Sequence, residues 1–300
     1  MTKNKIRISA PERAFIVLNY FIMILFLWAC LYPFYYVIIG SISSSGALSR
    51  GVFLFPAQVV FSNYISIFQK GDIPPGFLIS VGRTVIGTFL CVVFSSFVAY
   101  LVTKEEMILR KAVYRFIIIS MYLNAGLIPW YITLKTYGLR NNFLLYILPG
   151  AVNAFFMILV KTYIEQLPPS MEESAAIDGA GLFTVFSRLI VPLCKPIIAT
   201  VAVYAAVGQW SSWVDSYFLV NDSKLFTVQI ILYNYINQAQ VIADSMRYNA
   251  NAAAAKNAFS ITPDGIRMAV TVISVVPIML VYPFAQKYFV KGIMMGAIKG

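Results

Sequence analysis

From residue 14 to residue 40 the chain carries no charged side chain, and five further stretches come close to that condition. A run of about 20 apolar residues is long enough to cross the hydrocarbon core of a bilayer as a helix. Six segments reach that length: roughly 14–40, 77–102, 112–131, 143–163, 194–217 and 267–290. The expected fold is an all-α polytopic membrane protein with six transmembrane helices. These form one integral domain over 14–290, preceded by a short terminus, 1–13, and followed by a tail, 291–300. Pro277 and Pro283 are expected to kink the sixth span. The composition agrees: 60% of residues are hydrophobic and 12% charged, against about 45–50% and about 25% in soluble domains.

The formal net charge of +11 is better explained by topology than by nucleic-acid binding. Lys3, Lys5, Arg7 and Arg13 precede the first apolar run, which is too long for a signal peptide and is followed by no convincing small-x-small cleavage site. With that end inside, the inner segments also hold Lys104, Arg110, Lys111, Arg115, Lys161, Arg188, Lys195, Lys287, Lys291 and Lys299, making 14 of the 23 basic residues in the shorter total length of loop. Such a bias favours cytoplasmic N- and C-termini. The long loops, about 41–76 and 218–266, then face outward. They carry the turn signals Gly71-Asp72-Ile73-Pro74-Pro75-Gly76 and Thr262-Pro263-Asp264-Gly265, and an Ala-rich stretch, Asn249 to Lys256, that is expected to be helical.

Several kinds of chemistry are disfavoured. The chain has no histidine, the commonest general base and metal ligand. Cys30, Cys91 and Cys194 are far apart in or beside apolar segments, and read as small core residues. A membrane enzyme with a zinc site or a Ser-His pair is therefore not expected. No Gly-rich loop ending in Lys-Ser/Thr is present, so no ATP site is expected in this chain.

The cytoplasmic segment of about 165–192 contains Glu172-Glu173-Ser174-Ala175-Ala176-Ile177-Asp178-Gly179-Ala180-Gly181, a short polar helix of small residues with start and stop signals and no bulky hydrophobic anchor. Pro168-Pro169 end the fourth span, Ser170 is the expected N-cap, and Glu173 would complete a capping box. Glu173 either caps its own helix only or also offers charge to a basic partner. Ala175, Ala176 and Gly179 leave a nearly bare face for another protein to approach, and Pro192 and Pro196 mark re-entry into the fifth span.

This pattern resembles the EAA loop of bacterial ABC importer permeases. Glu173-Ser174-Ala175 stands for Glu-Ala-Ala, Gly179 follows after three residues, and nine residues later comes Leu189-Ile190-Val191-Pro192 in place of I-x-L-P. Ser174, Leu189 and Val191 depart conservatively from the common letters. The resemblance implies a type I ABC importer transmembrane domain with its coupling helix in 170–181. It also implies ATPase contact through Glu172, Glu173, Ser174, Ala175, Ala176, Asp178, Gly179, Ala180 and Pro192.

Phe55-Pro56 and Phe61-Ser62-Asn63-Tyr64 are similar to the first outer loop of maltose-type sugar permeases. The ending, Val290 to Gly300, is similar to their C-terminal tail, which implies that Lys291, Gly292, Gly296, Lys299 and Gly300 reach the ATPase subunits. Leu127-Ile128-Pro129-Trp130-Tyr131 and Trp210-Ser211-Ser212-Trp213-Val214-Asp215 resemble the lipoprotein-permease C or multiple-sugar branch, whose members import oligosaccharides, including uronic-acid and complex glycan fragments.

The partners so implied are a second permease subunit, two ATP-binding subunits that hold ATP and Mg, and an extracellular or lipoprotein sugar-binding protein. No cofactor is implied in this chain.

A sugar path needs aromatic platforms beside hydrogen-bonding groups. Asn124, Trp130 and Tyr131 in the third span and Gln209, Trp210, Trp213, Asp215 and Tyr217 in the fifth supply both, with Trp210 and Trp213 three apart on one helix face. An interfacial aromatic belt is the competing reading. Arg83, and likewise Arg267, either snorkels to the outer interface or lines the path and pairs with an anionic sugar. The competing function is an ion-coupled secondary carrier, but such carriers use mid-membrane carboxylates, and Asp215 alone comes close to one here.

Overall fold

The computed structural model describes residues 9–44, 48, 54–56, 58–69, 71–248 and 263–297. The Ala-rich stretch 249–256, Lys299, Gly300 and the side chains from 284 onward lie outside the described residues. Among those described, the regular structure is helical, and the only pairing of extended backbone is an isolated bridge between Ser43 and Val59.

Two compact units are formed. The first takes in residues up to Ile67 together with Tyr235–Ile273. Its long helix α1, Ala10–Ser41, starts where the Ser9 backbone N–H donates to Glu12 Oε2 at 2.8 Å and exposes apolar side chains such as Phe15, Phe21, Leu25 and Phe26 along its length. At its C-terminal end Ser41 is tied to α2, Ser62–Gln69: Asn63 Nδ2 donates to the Ser41 carbonyl at 3.0 Å, and the Ser41 and Tyr64 hydroxyls lie 2.8 Å apart.

The second unit is built on α3, Ile73–Leu101. Its start corrects the turn reading of 71–76, because Pro74 and Pro75 sit in the first helical turn, where a missing N–H costs nothing. The same holds for Pro263, which opens the last helix rather than closing a turn. One face of α3 carries Gly87, Cys91, Ser95 and Ala99 at intervals of four, all buried. Small side chains let neighbouring backbones come close, which is the usual route to helix association in lipid. Against α3 pack α6, Ala154–Ile164, and α9, Lys195–Ser211. Between α3 and α6 lie α4, Arg110–Tyr122, and α5, Leu127–Thr136. Between α6 and α9 lie α7, Ser170–Ile177, and α8, Leu182–Leu193. Beyond α9 come α10, Val214–Leu219, α11, Val228–Tyr248, and α12, Pro263–Ala297. One core, around Tyr100, Met157, Val160, Phe186 and Ile190, sits at the C-terminal end of α3. A second gathers Leu134, Leu145, Tyr146 and Leu219.

Three helices among the described residues are long and apolar enough to cross a membrane by themselves: α1, α3 and the Asp264–Pro283 part of α12. The pair α8 and α9, bent by 85°, makes a fourth if counted as one. The other expected spans are interrupted. The third breaks between Tyr122 and Leu127, where Gly126 takes φ +83° and its N–H bonds Asn124 Oδ1 at 2.9 Å. The fourth opens as a 3₁₀ turn, Phe143–Tyr146, and becomes α-helical only at Ala154, with Asn142 and Asn153 capping the two pieces. The fifth breaks at Ser212–Trp213 before α10.

Candidate functional site

The loop helix α7 forms where it is expected, but by a different start. Pro169 occupies the N-cap position and Ser170 is already helical, so the anticipated Ser170–Glu173 capping box is absent. Instead the Pro168 and Pro169 carbonyls accept the first N–H groups, from Met171, Glu172 and Glu173, at 3.0–3.2 Å. Glu172 and Glu173 in the first turn suit the positive end of the helix dipole. The end is a complete Schellman motif. Ala180 N–H bonds the Ala175 carbonyl and Gly179 N–H the Ala176 carbonyl, both at 3.0 Å, with Gly179 at φ +75°. Glycine is therefore required here by backbone conformation; a Cβ on Gly179 would meet nothing within 4 Å.

The faces of α7 divide clearly. Ala175 and Ala180 pack inward on the first core, so Ala175 does not belong to the bare outer face expected of it. Glu172 is half-buried and paired with Lys104, just beyond the end of α3. Burial holds the Lys104 ammonium below the ordinary lysine range, with nearby Glu106 acting in the opposite sense. Glu173, Ser174, Ala176, Asp178 and Gly179 are exposed. So is Ile177, at 87%, with Met171 and Phe183, six residues to either side, also exposed. The helix thus presents a bulky apolar side chain to solvent, contrary to the expectation that it carries no hydrophobic anchor. Pro192 lies near the end of α8, just after one π-helical turn, Phe186–Ile190.

The second site lies at the break between α9 and α10. Arg83 of α3 is 3% exposed and donates from all three of its side-chain nitrogens. Its Nε donates to Gln209 Oε1 at 2.9 Å, Nη1 to the Ser212 carbonyl at 3.2 Å and Asp215 Oδ1 at 3.1 Å, and Nη2 to Asp215 Oδ2 at 2.5 Å. Its guanidinium also lies 4.7 Å from the centre of the Tyr146 ring. Tyr146 in turn bonds Ser216 Oγ at 2.9 Å and the Leu225 carbonyl at 2.7 Å. The forked geometry is that of a bidentate Arg–carboxylate pair. Arg83 neither snorkels outward nor stands free for an anionic sugar. It fastens the broken end of α9, whose Ser212 carbonyl has no following helical N–H to accept. A cavity of about 350 Å³ adjoins this network, lined by Arg83, Trp130, Tyr146, Asn153, Tyr204 and Gln209 among others.

Residues 91–295 match the family described as "Binding-protein-dependent transport system inner membrane component". The chain belongs to that family. The inner membrane component is 36% identical to protein LplC of Bacillus subtilis (strain 168), over 89% of each chain. It is 33% identical to the polygalacturonan/rhamnogalacturonan transport system permease protein YtcP of the same organism, over 96% of this chain and 99% of the relative. Its backbone matches a chain of a bacterial ABC transporter involved in import of the acidic polysaccharide alginate, with TM-score 0.82, 30% identity and coverage of 95% and 100%. The carrier reading is not favoured by any of these likenesses.

Of the path residues expected in this inner membrane component, the fold brings Arg83, Trp130, Gln209 and Asp215 to one cavity. It separates the rest. Trp210 is buried, donates Nε1–H to the Ser274 carbonyl at 2.9 Å and meets Phe77 edge-on. Trp213 lies beyond the helix break, stacked on Tyr233 at 4.5 Å with Tyr217 edge-on to both, so the two tryptophans do not share a helix face as their spacing predicts. Tyr131 packs on the second core, Asn124 caps the Gly126 turn, and Arg267 is exposed near the start of α12. Tyr146, Asn153 and Tyr204 are cavity residues that the sequence reading missed; Asn153, a cap before an apolar helix, carried a legible signal.

Proposed function

We propose that this chain is the permease subunit of a binding-protein-dependent ABC importer that carries an oligosaccharide across the bacterial cytoplasmic membrane. The observation that carries the reading is the near full-length likeness to sugar-importer permeases, including the one in the alginate transporter structure. In this reading it crosses the membrane six times, with both termini in the cytoplasm. A second permease subunit, two ATP-binding subunits that hold ATP and Mg, and a sugar-binding protein complete the machine.

In this reading α7 is the coupling helix. Ile177, Glu173 and the Ala176–Gly179 edge enter a cleft of the ATPase, with the apolar side chain as anchor and the carboxylate as charge partner. The tail residues Lys291, Gly292, Gly296, Lys299 and Gly300 make a further ATPase contact. Motion of α7 reaches the spans through α8 and α3. The cavity beside Gln209, Trp130, Asn153 and Tyr204 offers amides and aromatic faces to a sugar. Because Asp215 already neutralises Arg83, that cavity carries no free cation of its own from this pair. Asn124, Tyr131, Trp210, Trp213 and Tyr217 then shape or flank the path rather than line it.

The test is recovery of the tagged chain from native membranes, followed by uptake in proteoliposomes of the recovered complex. Alginate fragments, galacturonate oligosaccharides and raffinose form the panel. A co-purifying ATPase and second permease, with ATP-dependent uptake of a panel sugar, support the reading. ATP-independent uptake by the isolated chain would overturn it.

A further inference from the structure

Two adjacent acids on α7 have different fates. Successive residues on an α-helix point about 100° apart, and here Glu173 is exposed whereas Glu172 turns inward to Lys104. The pair is well shielded, with the Lys104 side chain 16% exposed and that of Glu172 27%.

Lys104 is fixed to α3 rather than to a loose loop. Its ammonium lies 4.3 Å from the centre of the Tyr100 ring. Its backbone N–H bonds the Leu101 carbonyl at 3.0 Å. The preceding Thr103 bonds back to the Tyr100 carbonyl through both its N–H, at 3.1 Å, and its hydroxyl, at 2.6 Å. Arg110 Nη1 donates to the Thr103 carbonyl at 3.2 Å from the far side of the loop. The other charges of the loop are accounted for: Glu105 pairs with Arg110, and Glu106 stands near Lys104.

The helix that Lys104 follows, three residues past its last residue Leu101, is unbroken for 29 residues. At about 1.5 Å per residue it is a rod of about 43 Å. Toward its other end the same rod carries Arg83, locked to Asp215 and to the Ser212 carbonyl at the break of α9. One rigid element therefore has an ion pair to the loop helix at one end and an ion pair to the cavity wall toward the other.

We propose that the Lys104–Glu172 ion pair is the tether through which α7 draws on α3, and that Lys104 is a positioning residue for coupling ATP hydrolysis to transport. This rests on the reading of α7 as the coupling helix. The physical reason lies in the direction of load. Packing of Ala175 and Ala180 on the first core resists a push of α7 toward the spans but offers little resistance to separation or sliding. An ion pair resists separation, and a shielded one does so more strongly than a surface pair. The stroke in which α7 moves away from the spans thus depends on the charges.

The experiment uses the assembled importer in proteoliposomes and the panel sugar taken up by the unmodified complex, with uptake and ATP hydrolysis measured together. Lys104→Met keeps the apolar stem over Tyr100 and removes the charge. It is expected to keep its ATPase subunits and its ATP hydrolysis while uptake per ATP falls at least about five-fold, the lower end of usual coupling between sites. Lys104→Glu, which sets two carboxylates side by side, should lose at least as much, and Lys104→Arg should stay near the unmodified ratio. A purely structural role would lower the yield and leave the ratio unchanged. An unchanged ratio in Lys104→Met, with ATPase binding lost in Ile177→Asp, overturns the tether and spares the coupling-helix reading. Retention of the ATPase by Ile177→Asp overturns both.

Discussion

Gly87 of α3 faces the side-chain amide of Gln209 on α9 so closely that a Cβ at Gly87 would lie 2.8 Å from Nε2. The same glutamine accepts a hydrogen bond from Arg83. Replacing Gly87 by alanine removes a helix penalty of about 0.5–1 kcal/mol, and the obstructing atoms belong to the mobile end of a side chain. Gly87→Ala is therefore expected to leave the melting temperature in detergent nearly unchanged while displacing Gln209 and lowering sugar uptake. A drop of many degrees would show that Gln209 has no room to move.

The Arg83–Asp215 pair is buried enough that removing one partner strands the other. Arg83→Gln and Asp215→Asn are each expected to cost about 3–5 kcal/mol, visible as a lower melting temperature and a poor yield from membranes. The double variant should cost clearly less than the sum, since neither charge is then left alone. Additive losses would argue that the two residues act independently.

Gly179 holds the left-handed turn that closes α7. A β-branched residue there faces a penalty of about 1–2 kcal/mol, and asparagine a smaller one, because it tolerates that conformation. Uptake is expected to fall in the order Gly, Asn, Asp, Val at position 179, with membrane insertion unaffected. Limited proteolysis of the loop should rise in the same order.

Ile177 makes no demand on the fold, being 87% exposed. Ile177→Asp is expected to change stability by no more than about 0.5 kcal/mol and to abolish co-purification of the ATPase. Unaltered co-purification would overturn the reading of α7 as the coupling helix.

Parts of this fold were open to sequence reasoning for a plain reason. α1 and α3 are uninterrupted apolar runs, and length alone commits them to helices. The start and end of α7 were legible from Pro168-Pro169 and Gly179, though the mechanism at each end differed from the one inferred, because only the backbone carbonyls of Pro168 and Pro169 take the first N–H groups and the glycine serves its own φ. The breaks at Gly126 and at Ser212–Trp213 were missed because hydropathy averages over a window wider than the two to four residues that interrupt the helix. Gly126, with Pro129 three residues on in the first turn of α5, was the available signal for the first of them. The Arg83–Asp215 pairing joins residues 132 apart, and nothing local in a single sequence marks such a partner. The inward turn of Glu172 against the outward turn of Glu173 depends on where α7 is packed, which a pattern of two adjacent acids leaves undecided.

α8 and α9 meet at 85° around Cys194. Two helical arms at nearly a right angle have the shape of a bell crank, in which travel along one arm emerges as a sweep across the other. If α9 stands across the bilayer, α8 must lie almost flat along its surface. In the proposed importer, a partner that slides the loop sideways would then swing the far end of α9, where Gln209 sits, without unwinding either arm. The short pivot at Cys194 would fix the direction of that stroke, and the length of α9 how far it is magnified.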